Sequence, residues 1–304
     1  MGRRSFHYMQ KSNNIYKTEY KDYRNYVAIM ISTDRMMFFD KSGVRARMIE
    51  QSKNYKELHI VVFSNKKYEE VRISPNCTVY STNSLVRWNY ISDACKLGKK
   101  IIKGLSKDIF LLITCQNPFE TALVGKYLAS LSIYTELLIQ IHTDLYSPYF
   151  TKYSLLNRIR LFIAKFTLPQ SQVIRVVSNK IADSLVMRGY DKDKIIVKPI
   201  DVNIDYIKDA KPAFNLHEKF PQFGKIILMV SRLESEKNIE MAIDALSLAK
   251  AKIPNLGLLI VGSGTKLNSL KDRASKLKME SNIAFVGWQT DLIPYYKGCD
   301  LFLT

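Results

Sequence analysis

The chain has 304 residues, 47% hydrophobic and 24% charged, a balance that suits one large or two medium folded domains and excludes a disordered or fibrous polymer. Lys and Arg number 46 against 28 Asp and Glu, a net charge of +18 that favours phosphorylated ligands, nucleic acid or an anionic membrane face and that heavy lysine usage in AT-rich genomes explains equally well. Cys77, Cys95, Cys115 and Cys299 form no CxxC pair, and His7, His59, His142 and His217 lack metal-ligand spacing, so disulfides and zinc are not expected and a reducing cytoplasm fits.

Residues 1–24 are polar, basic and rich in Tyr and Asn, and read as a poorly ordered lead-in. The first residues, MGRRSFHYMQKSNN, hold no apolar core of a signal peptide, and no apolar run approaches the roughly 18 residues of a membrane span. A soluble or membrane-peripheral protein is expected.

Short β-rich apolar runs then alternate with helical periods. YVAIMIS (26–32), LHIVVFS (58–64), DIFLLITC (108–115), ELLIQIH (136–142), QVIRVVS (172–178) and KIIVKPI (194–200) read as buried strands. Helical patterns lie between them, among them VRARMIEQS (44–52) and TALVGKYLASL (121–131). The alternation predicts an α/β domain over 25–200 with a parallel sheet and helices on both faces. Residues 201–224, with Pro212, Pro221 and mixed polarity, read as an interdomain linker.

Alternation restarts at KIILMVS (225–231), and Asn238 is placed to cap a helix through IEMAIDALSLAKAKI. LGLLIVG (256–262), a helix capped by Thr265, IAFVG (283–287), the short helical turn DLIPYYKG and the strand CDLFLT (299–304) follow. A doubly wound sheet of about six strands needs further βα units of about 30 residues each, so the second domain, 225–304, is expected to be incomplete at Thr304.

Ligands of open parallel sheets sit beyond the carboxyl ends of the strands. VSRLESEKN places Arg232 and Lys237 there, just past a buried strand and before a helix. A guanidinium offers bidentate donors, an ammonium a point charge, and a helix start adds N–H groups, together a holder for a diphosphate. Two ordinary solvated surface charges would read the same on spacing alone. Gly262 and Gly264, in GSG after the next strand, allow close backbone approach to a phosphate or ribose; a plain βα turn explains a lone GxG as well. The DKD at 191–193 has the look of a metal motif, but an Asp-rich turn is expected between a helix and a strand. SLLNRIRLFIAKFTL (154–168) is basic and amphipathic, with Leu155, Ile159, Phe162, Ile163 and Phe166 on one face; it would either pack on the sheet or dock on an anionic membrane.

VSRLESEKN, LIVGSG and IAFVGWQTDLIPYYKGCDLFLT, in this order and spacing, resemble the donor domain of family 4 glycosyltransferases, retaining enzymes of the GT-B fold with two Rossmann-type domains. The first half resembles the family more loosely, through a basic loop after the first strand, a strand-end His and RVVSNKIADSLVMRGYDKDKIIVKPIDV. The resemblance implies that Arg232 and Lys237 hold the donor diphosphate and stabilise the leaving nucleotide. It implies that Gly262 and Gly264 lie against the nucleotide, that Val286, Gly287 and Trp288 approach the base, and that Ser42 and Gly43, in FFDKSGVRAR, meet donor phosphate and acceptor. His142, ending ELLIQIH, would contact a sugar hydroxyl or position the acceptor.

The implied activity is transfer of a sugar from a nucleoside-diphosphate sugar to a hydroxyl of a glycan or lipid-linked saccharide of the cell envelope, with retention and with no metal or other cofactor. The expected location is the cytoplasm, with peripheral contact to the inner membrane face where 154–168 docks on a membrane rather than packing on the sheet. The family's Glu-x7-Glu segment would come after Thr304, so a catalytically incomplete chain that only binds nucleotide is the alternative. A basic nucleic-acid-binding protein is a further one, although no helix-turn-helix, zinc-finger or RRM signature is present. A sugar-nucleotide epimerase of similar fold is disfavoured by the VSRLESEKN turn.

Overall fold

The structure, a computed structural model, describes residues 16–17, 21–106, 108–152, 154–200, 202 and 204–304. The chain divides into two compact units, Met1–Ile200 and Asp201–Thr304. In the first, the elements are β1 (Val27–Ser32), α1 (Gly43–Ser52), β2 (Glu57–Val62), β3 (Val71–Ser74), β4 (Cys77–Ser81), α2 (Tyr90–Lys103), β5 (Leu111–Cys115), α3 (Glu120–Ala129), β6 (Thr135–Ile141), α4 (Pro148–Lys152), α5 (Leu155–Thr167), β7 (Val173–Val176), α6 (Asn179–Val186) and β8 (Ile195–Val197). The second holds α7 (Ile204–Asp209), α8 (Leu216–Lys219), β9 (Lys225–Val230), α9 (Ile239–Ala249), β10 (Leu256–Val261), α10 (Leu267–Lys276), β11 (Ile283–Gly287), α11 (Ile293–Gly298) and β12 (Leu301–Phe302).

The first unit is built on an eight-stranded sheet of order β3-β4-β2-β1-β5-β6-β7-β8. All six residues of β1 are buried, because alternate side chains enter opposite layers: Ile29 and Ile31 join α2, α3, α5 and α6, whereas Ala28 and Met30 face α1. A strand covered on both faces has no solvent side and so reads as one continuous apolar run. The sheet is mixed, with β3 antiparallel to β4, where an all-parallel one was expected. Neither β3, β4 nor α2 was anticipated: VRIS and CTVYS are too short and too polar to stand out, and β4 gains its pairing beside β2 and β3 beside β4.

Of the expected lead-in, residues 1–15 and 18–20 lie outside the described residues. Tyr16 and Tyr23 are buried, and Tyr16 donates from its hydroxyl to Asp183 Oδ1 at 2.5 Å. Burial and this carboxylate push the Tyr16 phenol up to about 12, so it stays a donor at neutral pH.

The second unit has a four-stranded parallel sheet, β11-β10-β9-β12, between two apolar layers. Ile239, Ile243 and Leu246 of α9 fill one layer with Leu270 of α10; Leu216 of α8, Phe223 and Tyr295 of α11 fill the other. Residues 201–224 therefore do more than link: part of this stretch is core, although Asp201 and Asn203 themselves are outside the described residues. Its mixed polarity arises because only two of its apolar residues, Leu216 and Phe223, are fully covered. Gly257 lies flat against the Phe223 ring, where a Cβ would stand 2.1 Å from a ring carbon.

A Phe223→Ala substitution should therefore destabilise the second unit by about 3–5 kcal/mol in urea unfolding, the cost of a large buried aromatic. A residue in a solvated linker would change stability by only about 0.5 kcal/mol.

Candidate functional site

Parallel pairing brings the carboxyl ends of β9, β10 and β11 side by side, and the turn after each carries residues singled out by the sequence. After β9 come Ser231, Arg232, Leu233 and Glu234, then a 3-10 turn over Ser235–Lys237. Leu233 is buried and anchors this turn, leaving Arg232 and Lys237 exposed on either side of it. Arg232 Nη2 donates to Glu236 Oε1 at 2.8 Å, while Lys237 has no ion pair among the described residues. An exposed pair of this kind is worth little and gives way readily to a stronger anion. The Ser231 hydroxyl is buried without a partner among the described residues.

Asn238 is the residue before α9, as expected, but its side chain makes no capping bond; it occupies the left-handed region at φ 46° and turns the chain into the helix. Thr265 does not cap α10 either. Its backbone N–H and hydroxyl donate to Glu234 Oε1 and Oε2 at 3.1 and 2.7 Å. These two bonds, with weaker help from Arg232 and Lys266, hold the Glu234 carboxyl below its ordinary range. Glu234 thus ties the β9 turn to the β10 turn, a role the spacing of VSRLESEKN did not reveal.

Glycine at 262 and 264 has a structural reason. A Cβ on Gly262 would stand 1.9 Å from the Ser231 carbonyl oxygen, and one on Gly264 would stand 2.4 Å from that of Leu233. The two turns lie backbone against backbone, joined by Leu233 N–H to Ser263 O at 3.0 Å and Lys266 N–H to Leu233 O at 2.9 Å. Gly262 also has φ +139°, open to glycine. Its N–H donates to the carbonyl of Gly287 at 2.8 Å, which links the third turn to the second. Val286 and Gly287 are half-buried, and Trp288, just beyond β11, is 71% exposed.

In the first unit, Ser42 and Gly43 sit at the start of α1. Ser42 is buried and its hydroxyl accepts from Val44 N–H at 3.1 Å, so it serves as the helix cap. Gly43 has open space around it. His142 follows β6 at the carboxyl end of the sheet and is solvent-facing in part. Next to it runs a polar ladder invisible in the sequence: Arg175 Nη1 donates to Gln140 Oε1 at 2.7 Å, and Gln140 Nε2 donates to Thr114 Oγ1 at 3.1 Å. These three belong to β7, β6 and β5, and each is a single polar residue within an apolar strand run. They line a cavity of about 500 Å³ together with Tyr23, Arg24 and Tyr55. The Arg175 guanidinium meets only carbonyl oxygens, and its Nε is buried without a partner among the described residues.

Loss of water around His142, reinforced by the Arg175 charge, lowers its pKa from 6.5, so the imidazole is neutral at pH 7 and able to accept a hydrogen bond. Asp191 caps the turn before β8 by accepting from Asp193 N–H at 2.9 Å, which accounts for the DKD pattern.

Gly262→Ala combines left-handed strain with a carbonyl clash and should cost about 3 kcal/mol or more in chemical unfolding. Gly287→Ala, at φ +80° with no atom near the new methyl, should cost only about 1–2 kcal/mol. The His142 imidazole should titrate by NMR below 6.5, and Arg175→Gln should raise that midpoint without bringing it past 6.5, because burial is the larger cause. The sign is that of a depressed histidine: native stability falls as pH drops below about 6.5, where the unfolded chain takes up the proton first.

Residues 214–304 match the family model of glycosyl transferases group 1. The chain is 28% identical over 123 residues to alpha-monoglucosyldiacylglycerol synthase of Streptococcus pneumoniae, covering 37% of this chain and 28% of that protein. It is 31% identical over 98 residues to mannosylfructose-phosphate synthase of Agrobacterium fabrum, covering 29% of this chain and 22% of that one. The matched stretches thus span well under two thirds of either relative. Among solved structures, Anabaena HepE with UDP and glucose superposes at a TM-score of 0.66 and 16% identity, over 91% of this chain and 73% of its own. Sucrose-phosphate synthase of Thermosynechococcus elongatus superposes at 0.66 and 18% identity, over 90% and 74%. Over residues 214–304 the carboxy-terminal unit is thus similar to glycosyl transferases group 1, and the chain carries the GT-B fold of its solved neighbours.

Proposed function

We propose that this chain provides the donor- and acceptor-binding units of a glycosyltransferase that moves a sugar from a nucleoside-diphosphate sugar to a hydroxyl, with retention of configuration. The observation that carries this reading is the turn after β9, where Arg232 and Lys237 stand exposed beside the GSG turn at the carboxyl end of a parallel sheet.

In the transfer, the bond from the anomeric carbon to the diphosphate oxygen breaks and the acceptor oxygen takes its place. The hydroxyl proton leaves with the diphosphate. Negative charge grows on that diphosphate as the bond breaks, so cations already fixed beside it stabilise the transition state more than the ground state. Arg232 and Lys237 fill this role in our reading, which assigns charge neutralisation to side chains rather than to a bound metal. The Arg232 guanidinium exchanges Glu236 for phosphate oxygens. Gly262 and Gly264 keep the neighbouring turn low enough for the nucleotide to lie over it, and Val286, Gly287 and Trp288 meet the base. Structures of HepE with UDP support a nucleotide donor of this kind.

On the acceptor side, we assign His142 to a hydrogen bond accepted from a sugar hydroxyl, and Arg175 and Gln140 to the support of that position. Ser42 N–H is held by the Phe39 carbonyl and Val44 N–H by the Ser42 hydroxyl, so in our reading the Gly43 N–H, in open space at the start of α1, is the group offered to an anionic oxygen. For the acceptor we keep a glycan or lipid-linked saccharide of the cell envelope; the name of the pneumococcal relative, alpha-monoglucosyldiacylglycerol synthase, supports a lipid-borne one.

Titration calorimetry with UDP and GDP tests the donor site. Arg232→Ala and Lys237→Ala should each weaken the preferred nucleotide about tenfold or more. Equal affinity in the wild type and both variants would overturn the assignment.

A further inference from the structure

The helix α5 is turned the opposite way from what its apolar face suggests. Leu155, Ile159, Phe162 and Phe166 recur at spacings of four, three and four residues and form one ridge, and they are 73%, 53%, 75% and 50% exposed. Leu156 beside them is half exposed too. The face that holds α5 to the rest of the unit is the opposite, more polar one. There Ala164 and Thr167 are buried, Thr167 Oγ1 donates to the Pro118 carbonyl at 2.7 Å, and Arg160 Nε donates to Glu120 Oε1 at 3.0 Å. Asn157 Nδ2 adds a bond to the Phe150 carbonyl at 2.8 Å. Rolling the helix to hide its ridge would break all three, so the ridge faces outward by construction.

The charge around the ridge has one sign. The segment LLNRIRLFIAKFT contains no carboxylate. Arg158 and Lys165, two helical turns apart and both exposed, flank the ridge along one side. From α3, Lys126 Nζ lies 3.7 Å from the centre of the Phe166 ring. A second exposed apolar tip, Leu85, Val86 and Trp88 around Arg87, follows β4 at the same carboxyl end of the sheet from which α5 sets out. An apolar ridge bordered by cations matches the boundary of an anionic bilayer, where acyl chains take the ridge and lipid phosphates take the ammonium and guanidinium groups. A second copy of this chain would bring cations against cations, at +18 per chain.

We propose that α5 is a docking helix that lays Leu155, Ile159, Phe162 and Phe166 into the headgroup boundary of an anionic membrane. The inference uses only the first unit and stands apart from the nucleotide assignment.

Co-sedimentation of the full chain with unilamellar vesicles tests it. Wild type should bind vesicles of phosphatidylcholine mixed with phosphatidylglycerol, and bind pure phosphatidylcholine vesicles much less. Ile159→Glu with Phe162→Glu should lower the partition coefficient about tenfold or more, with an unchanged thermal midpoint because both side chains are solvent-facing. Arg158→Gln and Lys165→Gln, which leave the ridge intact, should each lower it about fivefold at low salt. Nucleotide affinity of all these variants should match wild type, so a failed docking helix and a failed donor site give different results. Absence of wild-type binding to the anionic vesicles, or equal binding by the double glutamate variant, would overturn the proposal. So would a wild-type dimer in light scattering that the double variant converts to monomer without any vesicle binding.

Discussion

The close approach of two backbone turns is the constraint on which the donor-side geometry rests. Parallel pairing of β9 and β10 sets their carboxyl ends next to each other, and nothing larger than hydrogen fits at positions 262 and 264 between the turns that follow. Because those turns touch, Glu234 can reach Thr265, and Leu233 can share hydrogen bonds with both Ser263 and Lys266. The result is a rigid base from which Arg232 and Lys237 project. In the proposed transfer, cations projecting from this base stabilise the charge that develops on the leaving diphosphate. The geometry of this turn therefore depends on glycines that have no side chain to contribute.

In the first unit the comparable feature is a row of polar side chains on a sheet face. Thr114, Gln140 and Arg175 occupy neighbouring strands and bond to one another in sequence, so each satisfies the next in a place where isolated polar groups would be costly. Arg175 is the source of the row's electrostatic effect. Its guanidinium meets no carboxylate among the described residues, and its charge adds to desolvation in keeping His142 neutral. The imidazole and the ladder are thus one electrical unit, although they come from different strands.

The two units handle their surplus positive charge differently. Around β9 the Arg232 guanidinium is held by a weak exposed partner, Glu236, and Lys237 by no ion pair among the described residues. Around α5 the cations sit beside uncovered apolar side chains, the arrangement in which charge and hydrophobic contact reinforce each other at an interface. A net charge of +18 by itself favours neither use. Where the charges stand relative to strand ends and apolar faces separates them.

The sequence by itself determined the α/β alternation, most buried strands, and the strand-end turns with Arg232, Lys237, Gly262, Gly264 and His142, because these features are local: a doubly covered strand is a continuous apolar run, and a βα turn is contiguous in the chain. It also exposed the amphipathic character of α5, but the outward direction of its apolar ridge was decided by the packing of Leu161, Ala164 and Leu168 into the core together with tertiary hydrogen bonds to Pro118 and Glu120. The strands β3 and β4, too short to signal themselves, exist through pairing, β4 with β2 and β3 with β4. Phe223 and Leu216 became core because a sheet face needed cover. The Glu234–Thr265 tie and the Thr114–Gln140–Arg175 ladder join residues about 30 positions apart, and their partners are set by strand register, a long-range property that only the folded chain possesses.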